Sequence, residues 1–338
     1  MDAASLSARA VACGVLLACL VCVPSGAGAG AARLQPVSGP LKVKVGIADQ
    51  KAAAFDDRRL HGLGLRYARR SVAWDALRFS DQRADLDAWV DGVQRMGAEP
   101  LITFARSRDR PGHRHRPPGG MDFLREFNRF RKRYPKVRTY SAWNEANHCG
   151  TGTCTRPDLV ARYYNAIRRN CPGCKVVAAD LLDQPNMVSW VRAFRRAARF
   201  EPRYWGLHDY IDANRFQTVR TTRLLRAVRG EVWLTEVGGL VARRNRSTLR
   251  LPQGKSHAAD AMRFIFDRLA RLSPRVARVY VYHWRSSTPH DSWDSALVGS
   301  DGARRPSLGV LERVVRQQRI GAAGTTTGGA QPDSRPRP

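Results

Sequence analysis

Eight short apolar runs recur along this chain, separated by segments with helical periodicity, and that alternation restricts it to an α/β architecture. The runs lie at 42–49, 65–74, 99–106, 138–147, 175–182, 204–210, 231–239 and 278–284. Between the second and third, Leu86, Trp89, Val90, Val93 and Met96 fall on one face at helical spacing. Phe123, Leu124, Phe127 and Phe130 do the same in the next interval, and further helices are expected over 157–169, 186–199, 218–229, 256–272 and 307–318. Eight such units within 41–318 predict a (β/α)8 TIM barrel, whose usual size is ~250 residues. A doubly wound open sheet is the alternative, and it is weakened because no glycine-rich phosphate turn follows the first run.

The two ends differ in kind from this repeat. Arg9, an apolar stretch at 11–23 and small residues after it read as a secretory signal peptide over 1–32, too short in its apolar part to span a bilayer comfortably. A lipoprotein leader with Cys19 as the lipidated residue is the other reading. Residues 319–338 have little to bury and are expected to form a disordered tail. No later stretch is long and apolar enough for a membrane helix, so the expectation is a secreted, extracellular or cell-envelope protein, monomeric and not membrane-bound once the leader is removed.

In an exported chain, Cys149, Cys154, Cys171 and Cys174 are expected to form disulfides, and their spacing favours Cys149–Cys154 and Cys171–Cys174. Two close pairs also superficially resemble a zinc site, which oxidising surroundings disfavour; no metal and no cofactor is expected. The formal charge is +29, with Arg supplying 51 of the 58 basic residues. A coding bias explains that skew, although such a surface will attract polyanions. No nucleic-acid module accompanies the charge. Two basic loops stand out, 106–120 and 242–255; each reads either as a solvated loop or as a lining for an anionic glycan. Within them, His113-Arg114-His115 is a weak metal motif amid repelling arginines, and Asn245-Arg246-Ser247 is a sequon only in a eukaryotic host.

In such a barrel the chemistry belongs at the carboxyl ends of the strands. Those ends carry Arg69 or Arg70, Arg106, Asn144 and Glu145, His208 and Tyr210, Glu236, and Trp284. One strand-end Glu is ordinarily a solvated or ion-paired residue. Two, Glu145 in RTYSAWNEAN and Glu236 in EVWLTEVGG, with cations and donors at neighbouring ends, are the minimum kit for cutting a glycosidic bond.

The pattern resembles the clan A retaining glycoside hydrolases, particularly the family 5 cellulase-like and family 39-like barrels. The resemblance covers about 42–318 and rests on Asn144-Glu145 closing the fourth run, Glu236 closing the seventh, His208-Asp209-Tyr210 in the sixth, Trp284 in the eighth, and ALVGSDGARRPSLGVL at 296–311. It departs from that pattern in Phe104-Ala105-Arg106, where family 5 often has a histidine, and in Ala146 where the clan usually has proline. The resemblance implies double displacement, with Glu145 as acid/base and Glu236 as nucleophile. It also implies that Arg69 and Tyr210 keep Glu236 ionised, Asn144 holds a sugar hydroxyl, His208 belongs to the substrate site and Trp284 forms the floor beneath the sugar ring. Glu145 would then have its pKa raised by Glu236 and by burial. The implied partner is an oligo- or polysaccharide, an acidic one if the basic loops line the site. Two rivals remain open from the residues: a catalytically silent barrel that binds cell-wall polysaccharide, and a transglycosylase.

Overall fold

A computed structural model describes residues 38–108, 116–244 and 249–326. Eight parallel strands close into a barrel in sequence order: β1 (Lys44–Ala48), β2 (Tyr67–Ala73), β3 (Glu99–Ala105), β4 (Thr139–Ser141), β5 (Lys175–Leu182), β6 (Tyr204–His208), β7 (Glu231–Val237) and, last, β9 (Val276–Tyr282), which pairs back onto β1. The strands β8 (Ala242–Arg243) and β10 (Trp293–Asp294) pair separately, antiparallel, as a two-stranded ribbon. The helices are α1 (Arg58–Gly62), α2 (Ser80–Arg95), α3 (Gly120–Arg133), α4 (Pro157–Asn170), α5 (Met187–Ala197), α6 (Tyr210–Arg215), α7 (Val219–Ala227), α8 (Lys255–Asp267) and α9 (Pro306–Thr326). The (β/α)8 barrel is therefore the fold, and the open-sheet alternative is excluded by the β1–β9 pairing.

Two apolar layers follow from strand alternation, in which successive side chains face opposite sides. Ala48, Leu101, Val177 and Trp233, from β1, β3, β5 and β7, pack inside the barrel with Tyr280. Taking one layer from alternate strands is how barrels of this kind fill their interior. The outward set meets the helices. Phe104 on β3 sits edge-on to Phe123, Phe127 and Phe130 of α3, with centroids 5.2, 6.0 and 5.6 Å away. These are three of the four residues whose spacing predicts that helix. At the amino-terminal mouth Arg278 closes the barrel, lying 4.0 Å from the Trp233 ring and bonded to Glu99 at 2.9 Å.

The boundaries differ from expectation in two informative places. The sixth run, expected over 204–210, stops at His208, and Tyr210 opens the short helix α6. The last helix continues to Thr326, so 319–326 is helical where a tail was expected. Polar anchoring explains its path: Gln318 donates to the carbonyls of Leu41 and Val43, and Arg319 to that of Leu63. The remainder of that tail and the proposed leader lie outside the described residues, as does His113-Arg114-His115. No helix among the described residues is long and apolar enough to cross a membrane.

Both expected cysteine pairs are formed, with Cα separations of 4.7 Å for Cys149–Cys154 and 5.4 Å for Cys171–Cys174. Each closes a very short loop, so replacing Cys149 and Cys154 together by Ser should cost only about 2 kcal/mol. A denaturant titration with an unchanged slope and a lower midpoint checks this. A loss several times larger would show that the bridge does more than shorten the unfolded chain.

Candidate active site

The centre of the site is a buried guanidinium. Arg69 on β2 points into the barrel and is fully buried, whereas its neighbour Arg70 points outward to Asp85 of α2. Strand parity therefore decides between the two arginines. Arg69 Nη1 donates to Glu236 Oε2 at 2.6 Å, and Nη2 donates to both Asn144 Oδ1 and Asp180 Oδ2 at 2.6 Å. A buried cation needs opposite charge and hydrogen bonds around it, and two carboxylates supply them here.

Asp180 is not among the residues to which the strand ends point. It sits in β5, wholly buried, accepting from Ser141 Oγ at 2.9 Å and Thr103 Oγ1 at 2.9 Å as well as from Arg69. The Arg69 charge, with bonds from His208 and Arg69, overcomes burial and holds its carboxyl well below the usual range. Its only trace in the sequence is one acid in the mostly apolar run KVVAADLL, which by itself does not distinguish it. Gly206 on β6 makes its room, since a Cβ there would lie 2.2 Å from Asp180 Oδ1.

Glu145 and Glu236 both approach the Nδ1 side of His208, with Asp180 toward Nε2. His208 Nδ1 is 3.3 Å from Glu145 Oε1 and 3.9 Å from Glu236 Oε2. Glu145 lies beyond β4 in a turn with φ of +49°, a region costly for a non-glycine residue and common at functional sites. The turn is held by Ala146 N–H donating to Asp180 O and by Thr151 Oγ1 donating to Glu145 O. Glu236, at the end of β7, receives Tyr210 Oη at 2.9 Å in addition to Arg69.

The protonation pattern differs from the expected one. Burial pushes Glu145 upward, but the hydrogen bond and charge of His208, with His148 and Arg69, outweigh it and leave the carboxyl below the usual Glu value. Burial alone would also strip His208 of its proton, and Arg69 acts the same way. Glu236, Asp180 and Glu145 pull harder, and the imidazole is pushed up to about 9. Three carboxylates facing one guanidinium make an extra proton favourable. Charged, the ring donates from Nδ1 to Glu145 and turns Nε2 toward Asp180 at 3.5 Å; neutral, Nε2 would accept from Arg69 Nη2 at 3.1 Å.

An open cleft of about 470 Å3 gives solvent access to Glu145 and Glu236. Its walls include Tyr210, Tyr282, Trp293, Arg243, His148 and Asp183. Trp284 is not among them. Just past the end of β9 its backbone N–H is taken by Asp49 Oδ2 at 2.7 Å and its indole Nε1 by Asp57 Oδ2 at 3.0 Å. These bonds draw the ring into the core beside β1, and Tyr282, two residues earlier, occupies the cleft instead. Arg106 is exposed and donates to Gly150 O at 3.2 Å, away from the carboxylates' partners. Of the expected residues, Arg69, Asn144, Glu145, His208, Tyr210 and Glu236 are thus brought into one bonded cluster.

In sequence the chain matches no protein-family model and no curated protein. In structure it is similar to a family 39 glycoside hydrolase from the gut symbiont Bacteroides cellulosilyticus WH2, with a TM-score of 0.55 and 15% identity over 82% of this chain and 63% of that one. It therefore spans less than two thirds of that protein's length. It is also similar to GH5_18 from Streptomyces cattleya, solved with GlcNAc, with a TM-score of 0.59 and 16% identity over 88% and 83% of the two chains. A third likeness is the β-glycosidase BGL167, with a TM-score of 0.59 and 13% identity over 89% and 99%. Identities this low establish the shared barrel.

Proposed function

We propose that this chain is a retaining β-glycoside hydrolase of the clan A type, exported and acting on an oligo- or polysaccharide. The observation that carries the reading is the pair of cleft-facing carboxylates at the ends of β4 and β7, held in opposite ways about one histidine. Glu236 is fixed by a guanidinium and a phenol, which suits a carboxylate that must be ionised and aimed at an anomeric carbon. Among the described residues the Glu145 carboxylate is bonded only to a titratable imidazole, which suits a group that must give and recover a proton. Asn144, held by Arg69, would bond a sugar hydroxyl next to the reacting carbon. Tyr282 takes the place of the aromatic floor expected from Trp284. Family 5 and family 39 glycoside hydrolases among the structural neighbours support the same reading. The apolar leader and the two cysteine bridges support export.

The two steps then follow. Glu236 attacks the anomeric carbon as a proton reaches the leaving oxygen through Glu145, giving a glycosyl ester on Glu236; Glu145 then takes a proton from water, which cleaves that ester. Because Glu145 is low and His208 high, the acid proton belongs to the pair rather than to Glu145 alone. Activity should accordingly fall on the alkaline side as His208 deprotonates, near pH 9. His208→Gln removes the group that lowers Glu145, so burial then raises that carboxyl, and the alkaline limb should shift to lower pH. Profiles of kcat/KM for both proteins test this; superimposable limbs would place the proton elsewhere.

The reading as a whole is tested by incubating the exported protein with a panel of β-glycans and measuring new reducing ends. Saturable binding without release would favour a silent carbohydrate-binding barrel. Transfer to added sugar in preference to water would favour a transglycosylase.

A further inference from the structure

The ribbon formed by β8 and β10 places a cation in the cleft. Arg243 and Trp293 are opposed across it, and the Arg243 guanidinium lies over the Trp293 ring at 5.3 Å. Trp293 in turn packs edge-on against Tyr210, with centroids 4.6 Å apart, and Tyr210 is bonded to Glu236. Arg243 and Glu236 thus belong to the walls of one cavity. Most charges there are already matched: Glu236 by Arg69 and Glu145 by His208. Asp183 is pushed up to about 7 by burial, with the charge of Asp212 adding to the effect. Arg243 is the exception. Its Nη1 donates to Leu249 O at 2.6 Å, its buried Nε makes no hydrogen bond, and no carboxylate among the described residues pairs with it. Desolvation without a counter-charge is costly for a cation, and the indole face offsets only part of it.

We propose that Arg243, backed by Trp293, is a specificity-determining residue that receives an anionic substituent of the sugar bound beside Glu236, so that the substrate is an acidic glycan. The inference rests on the glycoside-cleaving reading and goes further by naming the substrate class. A guanidinium fork matches either a uronate carboxylate or a sulfate ester, and the indole gives the sugar ring an apolar face. Of the two basic loops, the one after β7 contributes through this residue, which points into the cleft because the ribbon fixes its direction.

Rates of reducing-end release should be compared for the β-linked polymers hyaluronan and mannuronate-rich alginate beside their carboxyl-reduced forms, and for chondroitin sulfate beside its desulfated form. The wild-type protein should prefer the charged member of at least one pair, and which pair identifies the anion. Arg243→Gln should lower that preference ratio by ~10–100-fold, the worth of a charge-assisted hydrogen bond, and Arg243→Lys should keep part of it. Preference for the neutral forms, or an equal loss on both members of a pair, overturns the proposal. Calorimetric binding to Glu236→Gln, with and without Arg243→Gln, separates this from the parent reading. If no polymer is cleaved but acidic glycans bind in an Arg243-dependent manner, the cleavage reading fails and the anion site stands. Binding that ignores Arg243, or no binding at all, removes the anion site.

Discussion

Glu236→Gln is expected to reduce turnover by on the order of 10^4-fold or more, the scale seen when an enzyme loses its nucleophile. An amide is a weak nucleophile, and the substitution also places a neutral group against the Arg69 fork and the Tyr210 hydroxyl. Glu145→Ala should behave differently. With an aryl leaving group that needs no proton, formation of the glycosyl ester should persist, and added azide should enter the vacated space and be recovered as the β-glycosyl azide. The product's anomeric form, read by NMR, assigns the roles. Azide product of inverted, α configuration from a Glu236 variant would confirm Glu236 as the nucleophile, because azide then displaces the leaving group in a single step from the vacated face; a β-glycosyl azide from that variant would move the nucleophile elsewhere. Full activity in both variants would show that these carboxylates are not the active site.

The second large effect concerns stability. Arg69→Met should destabilise the folded protein by about 3–5 kcal/mol, because it leaves Asp180 wholly buried, and Glu236 partly so, without the guanidinium that pairs them. For a chain of this size that lowers Tm by roughly 5–8 °C. The penalty should shrink as pH falls, since protonating the stranded carboxylates removes the unpaired charge. That sign is opposite to the wild-type behaviour of Asp180: its carboxyl is depressed by Arg69, so its contribution is present above its unfolded pKa and is lost as pH falls through the lower folded value. Combining Arg69→Met with Asp180→Asn should recover part of the loss, and the coupling measured in that double-mutant cycle reports the pair directly. Additive losses would show that Arg69 acts through packing alone.

What the chain reveals before folding is whatever repeats or alternates along it. Eight apolar runs separated by helical faces determine the barrel, since neither element can bury its apolar side except in layers. Because a barrel's chemistry gathers at the carboxyl ends of its strands, the same repeat points to Asn144, Glu145, His208, Tyr210 and Glu236. The two cysteine pairs are legible from spacing.

Direction and partnership are not legible, because they depend on atoms far apart in sequence. Arg69 and Arg70 are adjacent, and only the pairing of β2 with β1 and β3 turns the first toward Asp180 and the second toward Asp85. Trp284 carries the expected residue type at nearly the expected place, yet Asp49 and Asp57 capture it from more than two hundred residues away, and Tyr282 takes the cleft. Asp180 is passed over because a single acid in an apolar strand announces nothing until Gly206, Ser141 and Thr103 close around it. The charge state of Glu145 depends on the distance to His208, which no spacing in the chain contains. The repeat sets the barrel and points to the carboxyl ends of its strands. The inside and outside of each strand end, and the proton inventory between them, are decided by tertiary structure, because burial and long-range hydrogen bonds set both.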